Sequence, residues 1–417
     1  MRVLHLTTEF PPVIYGGLGT AVGGWVTACA RAGVTVAVQL VEGPLVLDGN
    51  DAGFHGYGYG YGYGAPGHAP RPAYATPSGG TSGIEFFQSS WSDAVDSGVR
   101  AVRAWRADVV HLHTAMLWYV AEAIHAATGA PIVYHVHSVD RAEYEIGAEP
   151  CPWLAHSHAQ DRAIMGSDRL IALTASEAEL LARYYPEAAC KIRVVGNGID
   201  DTEEARSAAF GNRRLGSAIV LYSGRLVERK GIRELLGAIP EVLGAWPETQ
   251  FVFAGGPPPL TGEQVAAQWL GPAHAPYRDR ILFTGWLPPR AVYRWYEAAD
   301  ILAVPSRYEP FGMVVLEGML HGLAVVAAEV GGPADILKHG RTGLLFPPRD
   351  GAALAASLRW LVANPIARRR IGRTAARDVR RHWLWDRLVS PMVDVYSELL
   401  LWGRSASFRG SISDPAH

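Results

Sequence analysis

Residues 223–231 combine charge and glycine in a way that suits a diphosphate. The segment reads Ser-Gly-Arg-Leu-Val-Glu-Arg-Lys-Gly and follows a short apolar run. Arg225 offers a rigid fork of donors, and Lys230 offers a compact charge. Because the chain has only three lysines among its 38 basic residues, a lysine at 230 indicates a site that prefers a point charge. The alternative is a pair of solvated loop cations.

Residues 305–317 provide carboxylates next to a predicted helix start. The apolar run Ile301–Val304 predicts a buried strand, and a helix is expected to begin near Gly312. Free backbone N–H groups at such a helix start can bind phosphate or sugar oxygens. Glu309 and Glu317 could accept hydrogen bonds from sugar and ribose hydroxyls. The alternative is that these acids only favour the helix dipole.

Residues 10–19 form a glycine-rich turn after the first strand, and their glycines would let the backbone approach a phosphate. The turn does not match the dinucleotide pattern GxGxxG, because residue 22 is Val. A plain strand-to-helix turn is the alternative. This mismatch disfavours a nicotinamide-dependent oxidoreductase.

Two histidine pairs, His111 with His113 and His135 with His137, occur near strand ends. Strand alternation places the members of each pair on one face. They could be metal ligands, polar residues that line a cleft, or contacts to a sugar. The sequence has no Asp-x-Asp motif, so we expect no metal to hold the diphosphate.

The elements that must position these residues alternate between short apolar strands and helices. This alternation predicts an α/β fold with parallel sheets, and the pattern starts again after residue 198. The predicted parts are an N-terminal domain (1–205) with a Gly/Tyr-rich insertion (48–83), a C-terminal domain (206–382), a terminal helix (383–402) and a disordered tail (403–417). The insertion is expected to be a flexible surface segment, or else a mobile aromatic lid.

Composition excludes several classes of protein. The chain has 417 residues, a net charge of -2 and three widely spaced cysteines, so it has no basic surplus for nucleic acid and no zinc or disulfide pattern. It lacks a signal-peptide pattern and a run of 18 apolar residues, which predicts a cytoplasmic protein without a transmembrane segment. Oligomeric state has no signature here.

In these motifs the chain resembles the retaining glycosyltransferases of family four, which include glycogen and starch synthases, sucrose synthases and bacterial mannosyl- and glucosyltransferases. The resemblance covers most of residues 1–400. It is most specific in Ser223-Gly-Arg to Lys230-Gly, Phe283-Thr-Gly285, Glu309-Pro-Phe-Gly to Glu317 and Val330-Gly-Gly-Pro333.

The resemblance implies a GT-B fold, in which two Rossmann-like domains face each other across a cleft and the C-terminal domain binds a nucleotide-sugar donor. It assigns catalytic positions to His137, Arg225, Lys230 and Glu309. It assigns donor contacts to Gly16, Gly17, Leu18, Gly19, Gly285, Trp286, Leu287, Phe311, Gly312, Met313, Val314 and Glu317. It implies retention of anomeric configuration without a metal or other cofactor.

Starch synthases carry Lys where this chain has Ile14. With the unusual insertion, this favours a small-molecule acceptor over a growing glucan. Open alternatives are glucan elongation, a GT-B epimerase or sugar phosphorylase, and a nucleotide-sugar-binding protein without catalysis.

Overall fold

The computed structural model describes residues 1–11, 17–42, 84–145, 154–211, 217–257 and 260–410. These residues form two parallel sheets, each covered by helices on both faces. The α/β fold class with two Rossmann-like domains is thereby confirmed. The predicted insertion at 48–83 lies outside the described residues.

The N-terminal sheet has seven parallel strands in the order β3-β2-β1-β4-β5-β6-β7. Its strands are β1 (Arg2–Thr7), β2 (Thr35–Glu42), β3 (Ile84–Ser90), β4 (Val109–Leu112), β5 (Ile132–Val136), β6 (Arg169–Ala172) and β7 (Ile192–Val194). The helices between them are α1 (Gly17–Arg31), α2 (Ala94–Trp105), α3 (Trp118–Thr128), α4 (Asp140–Glu145), α5 (Leu154–Gly166) and α6 (Ala175–Tyr184). Strands β4, β5 and β6 are buried along their whole length because helices cover both sheet faces.

The C-terminal sheet has six parallel strands in the order β10-β9-β8-β11-β12-β13. Its strands are β8 (Ile219–Ser223), β9 (Gln250–Ala254), β10 (Ile281–Gly285), β11 (Ile301–Val304), β12 (Ala324–Ala328) and β13 (Gly343–Phe346). The accompanying helices are α7 (Glu203–Phe210), α8 (Ile232–Ala245), α9 (Gly262–Trp269), α10 (Pro289–Ala298), α11 (Met313–Leu320), α12 (Gly331–Ile336), α13 (Gly351–Ala363), α14 (Pro365–His382) and α15 (Trp385–Gly410). Helix α7 packs against α10, α11 and α14.

Both sheets reverse strand order next to their first strand, between β1 and β4 and between β8 and β11. Loops that leave neighbouring strands there diverge to opposite faces and open a crevice at the carboxyl ends. Each crevice faces the other across the space between the domains. The fold therefore directs the first residues of α1, the histidine strands and the charged loops toward one region.

The last helix, α15, packs against α1 on the N-terminal sheet. Trp385, Met392 and Tyr396 are buried in the core that also contains Trp25. The carboxylate of Glu398 on α15 accepts from the guanidinium of Arg169 at 2.7 Å. Burial of these apolar side chains, at about 25 cal/mol per Å², fixes the return of the chain to the first domain. The helix continues past residue 402 to Gly410.

The sequence reading missed strand β3. Each of its side chains is either half-buried or exposed, as expected for the edge of a sheet. Such a strand carries a weaker apolar signal than the buried strands beside it. Its Ile84 also follows directly on the unusual insertion, which hides its beginning in the sequence.

Candidate active site

A cavity of about 380 Å³ lies between the two domains. This volume falls within the range of roughly 300–1,000 Å³ that is usual for small-molecule sites. The N-terminal wall includes Glu9, His113 and His137, and the C-terminal wall includes Arg225 and Glu309. Glu9, His113, Arg225 and Glu309 follow strands that border a topological switch point, and His137 follows β5, the next strand beside β4. The four predicted catalytic positions, Lys230 among them, thus lie around one cavity.

Lys230 and Glu309 form a close ion pair in the C-terminal wall. The Lys230 Nζ donates to Glu309 Oε2 at 2.6 Å, and the Ser306 hydroxyl donates to the same oxygen at 3.0 Å. Glu309 is buried and Lys230 is half-buried. The pair therefore presents one cation and one carboxylate in fixed positions, suited to a phosphate and a sugar hydroxyl.

Burial and pairing set the charges of these two groups. Burial alone would raise the pKa of Glu309, but the charge and hydrogen bond of Lys230, with Arg229 and Ser306, bring it below its usual value. Burial lowers the pKa of Lys230, and the Glu309 carboxylate partly opposes this effect. Glu309 is thus ionised at neutral pH.

Glycine allows the backbone to bring this pair together. Gly231, which follows Lys230, has a φ of +69°, and a Cβ there would lie 1.9 Å from the carbonyl oxygen of Pro305. A Cβ on Gly332 would lie 1.8 Å from the carbonyl oxygen of Phe311. Only glycine fits at both contacts, which press the loops bearing Lys230 and Phe311 against their neighbours.

Most of the predicted donor contacts lie in the cavity wall. They are Gly17, Leu18, Trp286, Leu287, Phe311, Gly312, Met313 and Val314. Met313 and Val314 are in the first turn of α11, whose leading N–H groups have no partner within the helix and favour an anion. Gly312 precedes them with a φ of +93°.

Four other predicted donor contacts are not brought to this wall. Gly19 is buried in α1 and Gly285 ends β10, and neither lines the cavity. Gly16 lies outside the described residues. Glu317 lies farther along α11, away from the described cavity wall, and accepts a hydrogen bond from the Tyr296 hydroxyl at 2.7 Å.

Burial raises the pKa of Glu317, and the Tyr296 hydrogen bond only partly counters it. The shift is opposite to that of Glu309, whose pKa is lowered by its pairing with Lys230. Its predicted contact to ribose stays a prediction.

Five histidines occupy one face of the N-terminal sheet, on three neighbouring strands or at their carboxyl ends. They are His5, His111, His113, His135 and His137. The rings of His111 and His113 stack with centroids 4.2 Å apart, and those of His135 and His137 stack at 4.5 Å. The predicted placement of each pair on one face is confirmed. Burial lowers the pKa of His137 to about 3, so the ring is uncharged at neutral pH.

Hydrogen bonds join these rings into two chains. In the first, His5 Nδ1 lies 2.9 Å from His113 Nε2, and His113 Nδ1 lies 3.2 Å from His137 Nε2. In the second, His135 Nδ1 lies 3.3 Å from His111 Nε2, and His111 Nδ1 lies 2.6 Å from the Tyr396 hydroxyl. The first chain ends at the cavity, and the second ends at helix α15.

A tyrosine of the C-terminal domain reaches into the N-terminal core. The Tyr308 hydroxyl accepts from the backbone N–H of Val139 at 3.0 Å and donates to the Glu177 carboxylate at 2.8 Å. Burial raises the pKa of Glu177 to about 7, although the Tyr308 hydrogen bond opposes the shift. Because Tyr308 adjoins Glu309, this contact ties the loop that carries Glu309 to the opposite domain.

Sequence reasoning missed a second bridge across the cleft. Arg229 lies 3.0 Å from the carboxylate of Glu143 on α4, and both side chains are largely buried and line the cavity. Arg229 belongs to the charged loop at 223–231, so its position in the sequence already indicated that it lies near the site. Glu143 carries no motif, and only the tertiary structure pairs it with a cation.

The fold and the charged cavity define a class of protein, and comparisons with known proteins agree. The profile described as "Glycosyl transferases group 1" matches residues 204–378, and that described as "Glycosyl transferase 4-like domain" matches residues 16–198. The chain is 29% identical to a glycogen synthase of Mycobacterium tuberculosis over 95% of this chain and 94% of that protein. It is 32% identical to a D-inositol 3-phosphate glycosyltransferase of Xylanimonas cellulosilytica over 73% of this chain and 76% of that protein.

Solved structures show the same fold. A sucrose-phosphate synthase from Thermosynechococcus elongatus superimposes with a TM-score of 0.71 at 22% identity, covering 96% of this chain and 99% of the other. The catalytic domain of starch synthase IV from Arabidopsis thaliana, bound to ADP and acarbose, gives a TM-score of 0.68 at 15% identity, covering 96% and 99%.

The chain belongs to the group 1 glycosyl transferases with the GT-B fold. It is an enzyme that uses a nucleotide-diphosphate sugar as its donor. None of the described helices combines the length and apolar composition needed to span a bilayer.

Proposed function

We propose that this enzyme transfers its sugar with retention of configuration, without a metal on the diphosphate, to a small hydroxylated acceptor. One observation carries the proposal. Arg225, Lys230 and Glu309 surround one cavity, and His137 faces them from the other domain. A diphosphate-linked sugar fits between these groups if the cations hold the phosphates and the acid and imidazole hold sugar hydroxyls.

In this arrangement the protein needs no nucleophile. The donor phosphate oxygen would take the acceptor proton as the bond between sugar and phosphate breaks. Arg225 and Lys230 would stabilise the charge that develops on the leaving diphosphate, and His137 and Glu309 would orient the sugar. The first-turn N–H groups of α11 would add stabilisation close to the same anion.

The pairing of the cavity carboxylates supports a role without metal. Glu309 is paired with Lys230 at 2.6 Å, and Glu143 is paired with Arg229 at 3.0 Å. Mg²⁺ is usually held by carboxylates that face substrate phosphates. In the proposed mechanism, Lys230 and Arg229 would lie beside these acids in place of a metal ion.

The described N-terminal wall favours a neutral acceptor. It presents hydroxyl, amide and carboxylate groups from Glu9, Thr114, Ser138, Gln160 and Asn197. Among the described residues of this wall there is no lysine or arginine to hold a phosphorylated acceptor. Hydroxyl and amide groups suit a sugar or polyol.

Glucan elongation is a second candidate. It is favoured by the similarity to a glycogen synthase along 95% of the chain. An assay of nucleotide release with UDP-, GDP- and ADP-glucose, in EDTA, separates the two candidates. Glucose, inositol, inositol phosphate, maltose and glycogen are compared as acceptors.

We expect transfer to one of the short neutral acceptors in EDTA, with an α-linked product seen by NMR. Elongation of glycogen without transfer to short acceptors would overturn the choice of acceptor. Loss of activity in EDTA that Mg²⁺ restores would overturn metal independence.

A further inference from the structure

The histidine cluster contains more imidazole rings than a single contact to a sugar would need. His113, His135 and His137 each offer a ring nitrogen, and the three nitrogens lie within 4.8 Å of one another. His113 and His135 are buried, and His137 is half-buried at the cavity. Their nearest measured pair, His113 Nδ1 and His137 Nε2, is 3.2 Å apart.

These distances are close to those between the ligand nitrogens of a tetrahedral metal site. With Zn–N bonds of about 2.0 Å, two imidazole nitrogens on one zinc lie about 3.3 Å apart. The 3.2 Å pair already meets this requirement. The nitrogen of His135 lies within 4.8 Å of the other two and would meet it after a ring rotation. Three histidines with one open position form a ligand set typical of zinc.

A second observation shows an imidazole with a nitrogen to spare. His135 Nε2 is buried and has no hydrogen-bond partner. Since leaving a buried polar atom unpaired costs about 1–3 kcal/mol, binding of a metal by this nitrogen would remove that cost.

The hydrogen bonds behind the cluster are those that a metal ligand requires. If His135 Nδ1–H donates to His111 Nε2 at 3.3 Å, His111 then carries its proton on Nδ1 and donates to the Tyr396 hydroxyl at 2.6 Å. This sequence of donors leaves the Nε2 lone pair of His135 available. Metal-bound histidines generally donate their second N–H in this way, and the partner fixes the tautomer and ring orientation.

We propose that His113, His135 and His137 form a binding site for a divalent transition metal of the zinc class, with its open position toward the cavity. Tyr396 on α15 acts as a positioning residue through His111. The site contains no carboxylate and lies on the wall opposite Arg225 and Lys230, so it is separate from the cations proposed to hold the diphosphate.

The position of His137 gives the site a consequence, which rests on the proposed function. A ring that binds metal through Nε2 is no longer free to orient itself toward a sugar. Metal and donor sugar would therefore compete, and zinc would inhibit transfer by raising the apparent KM for the donor.

The test uses Co²⁺ as a spectroscopic substitute for zinc, added to the full-length protein after treatment with EDTA. We expect one Co²⁺ per chain, with visible absorption typical of tetrahedral coordination. His135→Leu should lower the affinity by more than about 100-fold, and Tyr396→Phe by about 10-fold or more, the range seen when a supporting partner is lost. His125→Gln, an exposed histidine on α3, is the matched control and should change nothing.

Circular dichroism and thermal unfolding show whether each variant is folded. Tyr396→Phe keeps the ring that packs in the core, so it tests the proposal even if His135→Leu does not fold. Tetrahedral absorption that persists in folded His135→Leu, or is absent from wild type, would overturn the metal site. If Co²⁺ binds as proposed but saturating donor sugar does not displace it, the metal site stands and the role of His137 beside the sugar is wrong.

Discussion

The ion pair between Lys230 and Glu309 allows the contribution of one cation to catalysis to be separated from its contribution to folding. Lys230→Met removes the charge and keeps most of the side-chain volume. It leaves a carboxylate whose side chain is only 10% exposed without its 2.6 Å partner. Glu309→Gln removes the opposite charge and still accepts from the Ser306 hydroxyl. The double variant removes both charges.

The structure sets different magnitudes for the two effects. Loss of one partner of a buried ion pair costs about 3–5 kcal/mol of stability, and we expect the lower end because the Lys230 side chain retains 18% exposure. The double variant should recover most of this loss, because no unpaired charge remains. In catalysis, loss of one preorganised electrostatic donor costs about 3 kcal/mol, so kcat/KM should fall roughly 100-fold or more.

The assay measures urea unfolding and nucleotide release for all four proteins, under conditions where each is fully folded. We expect Lys230→Met to lose both stability and activity, and the double variant to regain stability alone. A kcat/KM within about threefold of wild type in Lys230→Met would refute the role of Lys230 at the diphosphate. Recovery of activity in the double variant would show that the charge acts only through folding.

Three further predictions concern other parts of the site. Burial raises the pKa of Glu177 from 4.5 in the unfolded chain to about 7, so the free energy of unfolding falls as pH rises between these two values. Glu177→Gln should therefore gain about 2–3 kcal/mol over wild type between pH 5 and 8, and a difference in unfolding free energy that does not vary with pH would contradict this. Gly231→Ala should destabilise the protein well beyond the roughly 1–2 kcal/mol that a left-handed alanine costs, whereas the control Gly340→Ala, with φ +70° and no atom near the new Cβ, should cost only that amount. Equal unfolding midpoints for the two variants would exclude the clash between the new Cβ at 231 and Pro305. Trp286→Ala should raise KM for the donor roughly 2- to 10-fold, by loss of stacking worth about 0.5–1.5 kcal/mol, whereas Trp360→Ala should leave KM unchanged, because Trp360 is similarly exposed but does not line the cavity. An unchanged KM for Trp286→Ala would show that Trp286 does not contact the donor.

Local pattern in the sequence was sufficient for most of the fold. The apolar run Ile301–Val304 is a strand with the predicted bounds, and it is one of the buried strands at the centre of the two sheets. These strands are apolar because both sheet faces are covered, and short apolar runs between helical segments are a local property of the chain. The half-exposed strand β3 lacks this property, which is why it escaped prediction.

Strand ends also explain why so much of the site was predictable. Arg225 and Glu309 follow strands β8 and β11, which are neighbours in the sheet. Parallel strands bring their carboxyl ends to one edge, so residue type and spacing were enough to place both groups at one cavity. For Glu317 the same reasoning predicts a shared ligand, and this stays a prediction, because the carboxylate accepts from the Tyr296 hydroxyl and lies outside the described cavity wall.

The sequence by itself determined two parallel α/β domains and the loops that carry charge, because these depend on short-range periodicity and on residue type. Only the tertiary structure decided the partners across the cleft, which are Arg229 with Glu143 and Tyr308 with Glu177, and the contact of His111 with Tyr396 on the final helix. These pairs are separated by 86, 131 and 285 positions in the chain. They form because packing of the two domains and the final helix brings distant surfaces together, and no local pattern records which surfaces meet.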